Sequence, residues 1–208
     1  MDLQETVGSY VRRRLALHSR DTYRGVPISK FPEDLRTYEH FMWDMRADAV
    51  IELGVQAGGS TLWFRDRLLS FGGGTIVAVD VLPNPDLPAD VTFIQGDVRD
   101  PSLPELVAAR LPPGARPFVV EDTAHTYETT LAALDGFHGF VPPGGYMVVE
   151  DAVVDIDELR SHDDWPRGVE PAIAGWLSGH PEFSRIDAPY GVTCHPGGFL
   201  RREAAVEN

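Results

Sequence analysis

Two apolar runs in this chain end in paired acids: Phe118-Val119-Val120 runs into Glu121-Asp122, and Tyr146-Met147-Val148-Val149 runs into Glu150-Asp151. Carboxylates offer only oxygen, and Cys194 is the single cysteine. The donor set therefore suits a hard divalent ion such as Mg²⁺, with Mn²⁺ or Ca²⁺ as substitutes. If the two runs are neighbouring strands, their backbones lie about 4.8 Å apart. Two like charges about 4 Å apart cost on the order of 4 kcal/mol at an effective dielectric of about 20, so such a pair must take up a proton or hold a cation. We expect a metal held by Asp122, Glu150 and Asp151. Alternation along the strand turns Glu121 to the face opposite Asp122 and leaves it out. Glu150 and Asp151 alternate too, so both ligate only if the chain bends there. The competing reading has these acids hydrogen-bonded to loop amides or solvated.

His125 follows Asp122 by three residues. An imidazole titrates at about pH 6.5 and takes a proton from a hydroxyl whose acidity a metal has raised. His125 is thus the candidate base, with Asp122 beside it. The other histidines, His18, His40, His138, His162, His180 and His195, have no acidic cluster next to them in sequence and read as caps or loop decoration.

A ligand loop must stand near these groups, and one stretch has the make-up for it. Val50-Ile51-Glu52-Leu53 is a short apolar run ending around an acid, Gly54-Val55-Gln56-Ala57-Gly58-Gly59 is a turn, and Ser60 or Thr61 can cap a helix over the residues that follow. Glycines where the backbone approaches a ligand, beside free N–H groups at a helix start, make a site for a small polar molecule. A dinucleotide fingerprint beginning at Gly54 wants glycine at position 56, which is Gln, so NAD is disfavoured. A second strand ends in Asp80, whose carboxylate can accept from both hydroxyls of a ribose. A third ends in Gly96-Asp97, where Asp97 either reaches an adenine amino group or is a plain turn residue. Glu52, Gly54, Gly58, Ser60, Asp80 and Asp97 are the candidate cofactor contacts.

The elements that carry these residues alternate. Residues 3–17 read as an amphipathic helix that covers the sheet or a partner subunit, and residues 33–46 as a second. Tyr23 to Pro32 holds too many breakers for a regular element; its Tyr23 and Lys30 are candidate ligand contacts, with ordinary surface positions the stronger reading. Strands at 50–53, 75–80, 91–97, 116–122 and 146–151, with helices between them, imply a Rossmann-like α/β sheet, mostly parallel and wound on both faces, in which ligands collect at the strands' carboxyl ends. Residues 152–168 form a long acidic connection that reads as a covering loop. A helix at 169–177 and strands at 183–186 and 198–202 close the fold, the last two as an antiparallel edge. We expect an N-terminal helical cap over 1–47, the catalytic domain over 48–202 and a tail over 203–208.

Composition excludes some partners. Acidic residues outnumber basic ones by 32 to 18, for a net charge of −14, which repels nucleic acid and anionic membrane surfaces. No segment has the apolar length to span a bilayer, and Met1-Asp2-Leu3-Gln4-Glu5 lacks the basic and apolar regions of a leader, so a cytoplasmic protein without disulfides is expected.

The glycine stretch resembles the first motif of class I S-adenosylmethionine-dependent methyltransferases. Together with Asp122-Thr-Ala-His125 and Pro-Gly-Gly-Tyr-Met-Val-Val-Glu150-Asp151, the chain from about Tyr23 to Arg202 is similar to the cephalosporin hydroxylase family and the related metal-dependent sugar O-methyltransferases of macrolide biosynthesis. The resemblance implies S-adenosylmethionine as cofactor, Asp122, Glu150 and Asp151 as Mg²⁺ ligands, and His125 as base. The activity it implies is methylation of a hydroxyl on a small-molecule acceptor, a natural product or its sugar. Apart from the resemblance, the first helix offers an interface for a homo-oligomer. Two alternatives stay open: a hydroxylation or cyclisation in an antibiotic pathway with the same cofactor, and a non-catalytic ligand-binding subunit.

Overall fold

A computed structural model describes residues 4–84, 86–160 and 164–204. Leu3 of the first helix, His162 and Asp163 of the acidic connection, and 205–208 of the tail lie outside them.

The centre is a seven-stranded sheet whose strands are β3 (Ala49–Leu53), β4 (Thr75–Asp80), β5 (Thr92–Gln95), β6 (Pro117–Glu121), β7 (Tyr146–Val149), β8 (Phe183–Arg185) and β9 (Phe199–Arg202). Their order is β5-β4-β3-β6-β7-β9-β8. The pairs from β5 across to β7 are parallel, and β9 runs antiparallel to both β7 and β8, which makes the expected antiparallel edge. All residues of β3 and β6 are buried, as strands covered on both faces require.

Alternation sorts the side chains into two cores. Ile51, Leu53, Val119, Met147 and Val149 pack under Leu134 and Phe137 of α5 (Tyr127–Phe137) and Ile173 and Trp176 of α6 (Val169–Leu177). Val50, Ile76, Phe118 and Val148 pack under Tyr38, Phe41 and Met42 of α2 (Pro32–Asp44) and Phe64 and Leu68 of α3 (Gly59–Phe71). The short α4 (Leu103–Ala108) joins β5 to β6.

Local chemistry sets several ends. α3 starts after Gly58 and stops at Gly72, both left-handed at φ 89° and 117°, so neither Ser60 nor Thr61 caps it. Thr126 caps α5 through a capping box with Thr129.

The N-terminal region departs from its sequence reading. α1 (Val7–Leu17) buries only Val11 and Leu15, and these pack with Phe31, Val153 and Cys194, over the loops at the carboxyl ends of the strands. Residues 22–27 are not irregular: β1 (Thr22–Tyr23) and β2 (Val26–Pro27) form a hairpin, with Arg24 and Gly25 at φ 52° and 85° as its two-residue turn. Positive φ at both central positions matches the twist of the paired strands, a geometry that Arg-Gly does not advertise as Asn-Gly would.

The acidic connection is packed where it is described. Asp155 accepts from the backbone N–H groups of Gly168 and Glu170 at 2.8 Å each and so caps α6. Arg160 donates to the carbonyls of Val154 and Trp165, both at 2.6 Å. Among the described residues, no helix is long and apolar enough to cross a membrane.

Candidate functional site

Strand order reverses between β3 and β6, since the chain proceeds from β3 to β4 and β5 on one side and to β6 and β7 on the other. Ligands in open parallel sheets bind at that point. Here the two strand ends touch. Asp122 N donates to Leu53 O at 2.7 Å, and a Cβ on Gly54, which has φ 94°, would stand 1.9 Å from the Asp122 carbonyl oxygen. Only glycine fits there, and the close approach brings the glycine turn against the acidic cluster.

Asp80 organises the turn from the neighbouring strand. Its Oδ2 accepts from Val55 N at 2.8 Å and Gln56 N at 3.0 Å, and its Oδ1 from Leu82 N at 2.9 Å. Three of about four acceptor positions are used, so one remains for a ligand hydroxyl. Gln56 sits at φ 49°, in the left-handed region where glycine is the usual choice. Above the turn lies a cavity of about 400 Å³, lined by Pro27 of the hairpin, Gln56, Gly58, Leu62, Asn84 and Leu87.

The acids of β6 and β7 hold a cation that sequence reasoning missed. Lys30, a candidate ligand contact for which a surface position is the stronger sequence reading, is only 4% exposed, and its ammonium donates to Asp122 Oδ2 and, at 2.6 Å, to Glu150 Oε2. It is the only lysine of the chain. Glu150 Oε1 accepts from the Tyr38 hydroxyl at 2.8 Å. Tyr38 lies 2.7 Å from His195 Nε2, and His195 Nδ1 accepts from Asp151 N at 2.7 Å. That amide fixes the tautomer: Nδ1 is the acceptor, Nε2–H donates to Tyr38, and Tyr38 donates to Glu150.

Asp151 takes φ 55°, and this is the bend that lets Glu150 and Asp151 face one centre. His125, also at φ 55°, lies with Nε2 3.5 Å from Asp151 and 3.7 Å from Asp122. Left-handed non-glycine residues at Gln56, His125 and Asp151 mark a backbone held in sparsely populated conformations where function concentrates. Glu121 stays out of the cluster, buried and bonded by the amide and hydroxyl of Thr123.

Burial and crowding set the protonation states. Burial and the charge of Asp122 push Glu150 well up, against Lys30. Burial pulls Lys30 down, but Asp122, Glu150 and Asp151 outweigh it and hold the ammonium protonated. Burial would raise Asp151, yet the charge of His125 keeps it below the ordinary carboxylate range. Asp151, Asp122 and Glu121 lift His125 despite its burial. His195 is buried down to about 3 and is neutral. His18 also faces this cluster; burial lowers it, against the charges of Asp151 and Asp122.

Other sequence candidates are occupied by the fold. Glu52 is 1% exposed and accepts from the Thr61 hydroxyl at 2.5 Å; burial lifts it to about 7, against the hydroxyls of Ser60 and Thr61. Ser60 therefore serves Glu52 rather than a helix cap. Asp97 accepts from the backbone and guanidinium of Arg99, whose hydrogen bonds hold it at about 2. Tyr23 donates to Asp66 at 2.7 Å instead of facing the strand ends.

The donor set fits a hard divalent ion. Asp122, His125 and Asp151 bring one donor atom each within 4.8 Å of one another, as do Glu150, Asp151 and His195, while Asp122 and Glu150 share one buried cation. His125 Nδ1 is buried with no hydrogen-bond partner. The sequence signature described as rhamnosyl O-methyltransferase/CmcI matches residues 16–203.

The chain belongs to the rhamnosyl O-methyltransferase/CmcI family. The rhamnosyl O-methyltransferase of Mycobacterium tuberculosis is 27% identical over 200 residues, covering 88% of this chain and 79% of that one. A solved structure of CmcI described as Mg-SAM has a TM-score of 0.68 at 23% identity, covering 89% of this chain and 78% of that one. The mycinamycin-pathway methyltransferase MycE, solved with Mg, SAH and mycinamycin VI, has a TM-score of 0.58 at 18% identity; 83% of this chain matches 48% of that longer one. The shared fold is that of the class I methyltransferases, the fold read from the sequence.

Proposed function

We propose that this protein is an S-adenosylmethionine- and Mg²⁺-dependent O-methyltransferase acting on a hydroxyl of a natural product or its sugar. The observation that carries the reading is the pair Asp122 and Glu150 on one buried cation, with Asp151 beside them through His125 and His195 and the glycine turn at Gly54 in contact with Asp122, in a chain of this family. S-adenosylmethionine supplies a methyl group already activated on a sulfonium. A divalent ion at Asp122, Glu150 and Asp151 would supply Lewis acidity toward the acceptor oxygen.

The chain's own residues do the rest. The turn at Gly54 and Gly58, with Asp80 behind it, places the donor beside the acceptor; most of the rate comes from that positioning. His125 Nε2 takes the hydroxyl proton as general base. Asp122 and Asp151, within 4 Å of that nitrogen, hold the ring and stabilise the imidazolium that forms. Tyr38 and His195 fix the orientation of Glu150. α1, packed on Phe31 and Val153, and the connection after Asp151 shield the strand ends from water.

The curated relatives direct the choice of acceptor toward rhamnosyl groups, and a net charge of −14 favours a neutral or cationic acceptor over a polyanion. Incubation with isotopically labelled S-adenosylmethionine and a panel of rhamnosyl and other deoxysugar glycosides tests this by mass spectrometry. Methyl label on a sugar hydroxyl is the expected result. A hydroxylated or cyclised product without label would favour the alternative pathway reaction.

A further inference from the structure

Lys30 stands where the proposed metal would stand. Its ammonium bonds Asp122 Oδ2 and Glu150 Oε2, oxygens of two of the three carboxylates assigned to the divalent ion. The chain uses arginine at every other basic position, 17 times, and lysine only here. The two are not equivalent: a guanidinium is a broad planar fork, whereas an ammonium is a compact point charge the size of a small ion on a flexible stem. We infer that Lys30 is an internal stand-in cation that holds Asp122 and Glu150 together in the metal-free protein and leaves that place when a divalent ion enters. The inference rests on the metal reading above and goes beyond it by giving the metal a competitor built into the chain.

Two observations say what the exchange moves. Lys30 follows Ser29, a non-glycine residue at φ 47°, so the backbone leading to the ammonium is held in a conformation that L side chains rarely adopt. The same segment presses on the cofactor side of the site: a Cβ on Gly59 would lie 2.1 Å from the Pro27 carbonyl oxygen and 2.9 Å from Ile28 Cα. Residues 27–30 therefore bridge the acidic cluster and the first turn of α3. Withdrawal of the ammonium is felt at the glycine turn, so metal and donor occupancy become coupled through these four residues.

The test uses the intact protein and reads binding, not turnover. Mn²⁺ is titrated calorimetrically into the wild type, Lys30→Met and Lys30→Gln. With the internal competitor gone, both variants should bind Mn²⁺ about tenfold more tightly or better, because a cation that repels the ion has been removed. A second readout covers the case in which the variants do not fold. Lys30 is the only lysine, so reductive methylation of the wild type followed by mass mapping reports on it alone, with the chain's terminal amine as internal control. It should be protected without metal and methylated faster when Mg²⁺ is saturating. Unchanged or weaker Mn²⁺ binding in folded variants, or equal protection of Lys30 with and without bound metal, overturns the inference and leaves the metal reading intact. Absence of Mn²⁺ binding in the wild type and the variants overturns both.

Discussion

Replacing Glu52 with glutamine should stabilise the protein at pH 8 and not at pH 4. Glu52 is 1% exposed, and burial lifts it from 4.5 to about 7, opposed by the hydroxyls of Ser60 and Thr61. Because the folded value lies above the unfolded one, the folded chain keeps a proton between those values that the unfolded chain has lost. The stabilisation from that proton is fully present below about pH 4.5 and disappears as pH rises through about 7. At roughly 1.4 kcal/mol for each pH unit between the two values, the loss is about 3 kcal/mol. Glutamine stays neutral at every pH and still accepts from Thr61, so the variant lacks this loss. Urea unfolding of wild type and Glu52→Gln at pH 5 and pH 8 isolates the effect, since the other titrating groups are common to both proteins. The difference between variant and wild type should shift by about 2 to 3 kcal/mol in favour of the variant between the two pH values. An unchanged difference would refute the claim that Glu52 is a desolvated acid behind the glycine turn.

Gly54→Ala should destabilise the fold by more than about 2 kcal/mol, read by thermal unfolding, because its methyl would meet the Asp122 carbonyl at 1.9 Å with φ fixed at 94°. Asp122→Ala and Glu150→Ala should abolish methyl transfer yet leave S-adenosylhomocysteine binding by calorimetry, whereas Asp80→Ala should weaken that binding first, through the amides of Val55 and Gln56. His125→Asn should lower kcat by about 10²- to 10⁴-fold with donor affinity unchanged. Excess chelator should stop turnover, and added Mg²⁺ should restore it.

The sheet was legible because burial on both faces writes its strands as unbroken apolar runs, and the glycine-rich and Pro-Gly turns separate them. The acids at the strand ends were legible for the same reason: a carboxylate ending an apolar run is conspicuous, and alternation forces the question of a bend, which Asp151 answers at φ 55°. What fills the space between the acids was not legible. Lys30 lies 92 residues from Asp122 and 120 from Glu150, in a stretch full of breakers, and only the topology brings it in. Its one signal was compositional, a single lysine among 17 arginines.

His195 and Tyr38 were hidden for a related reason. Tyr38 reads as one more apolar position on the face of α2, and its hydroxyl reaches Glu150 only because that face packs on β7. His195 sits in the loop before β9, and its pairing with the Asp151 amide follows from β9 running antiparallel beside β7. Asp34 was likewise unread: a first-turn acid of α2 is ordinarily solvated, yet it is fully buried, accepts from Cys194 N at 3.0 Å and is lifted by burial to about 7. Ser60 misled in the opposite sense. Its type and place suit a cap, but the left-handed Gly58 already starts the helix and the hydroxyl turns to Glu52.

The most direct measurement is anomalous diffraction from crystals soaked with Mn²⁺ and S-adenosylhomocysteine together. A single Mn²⁺ peak bonded to Asp122, Glu150 and Asp151, with the homocysteine sulfur facing it across the turn at Gly54, is the predicted result. Density for the nucleoside at the glycine turn with Lys30 still between Asp122 and Glu150 and no anomalous peak there would contradict the account.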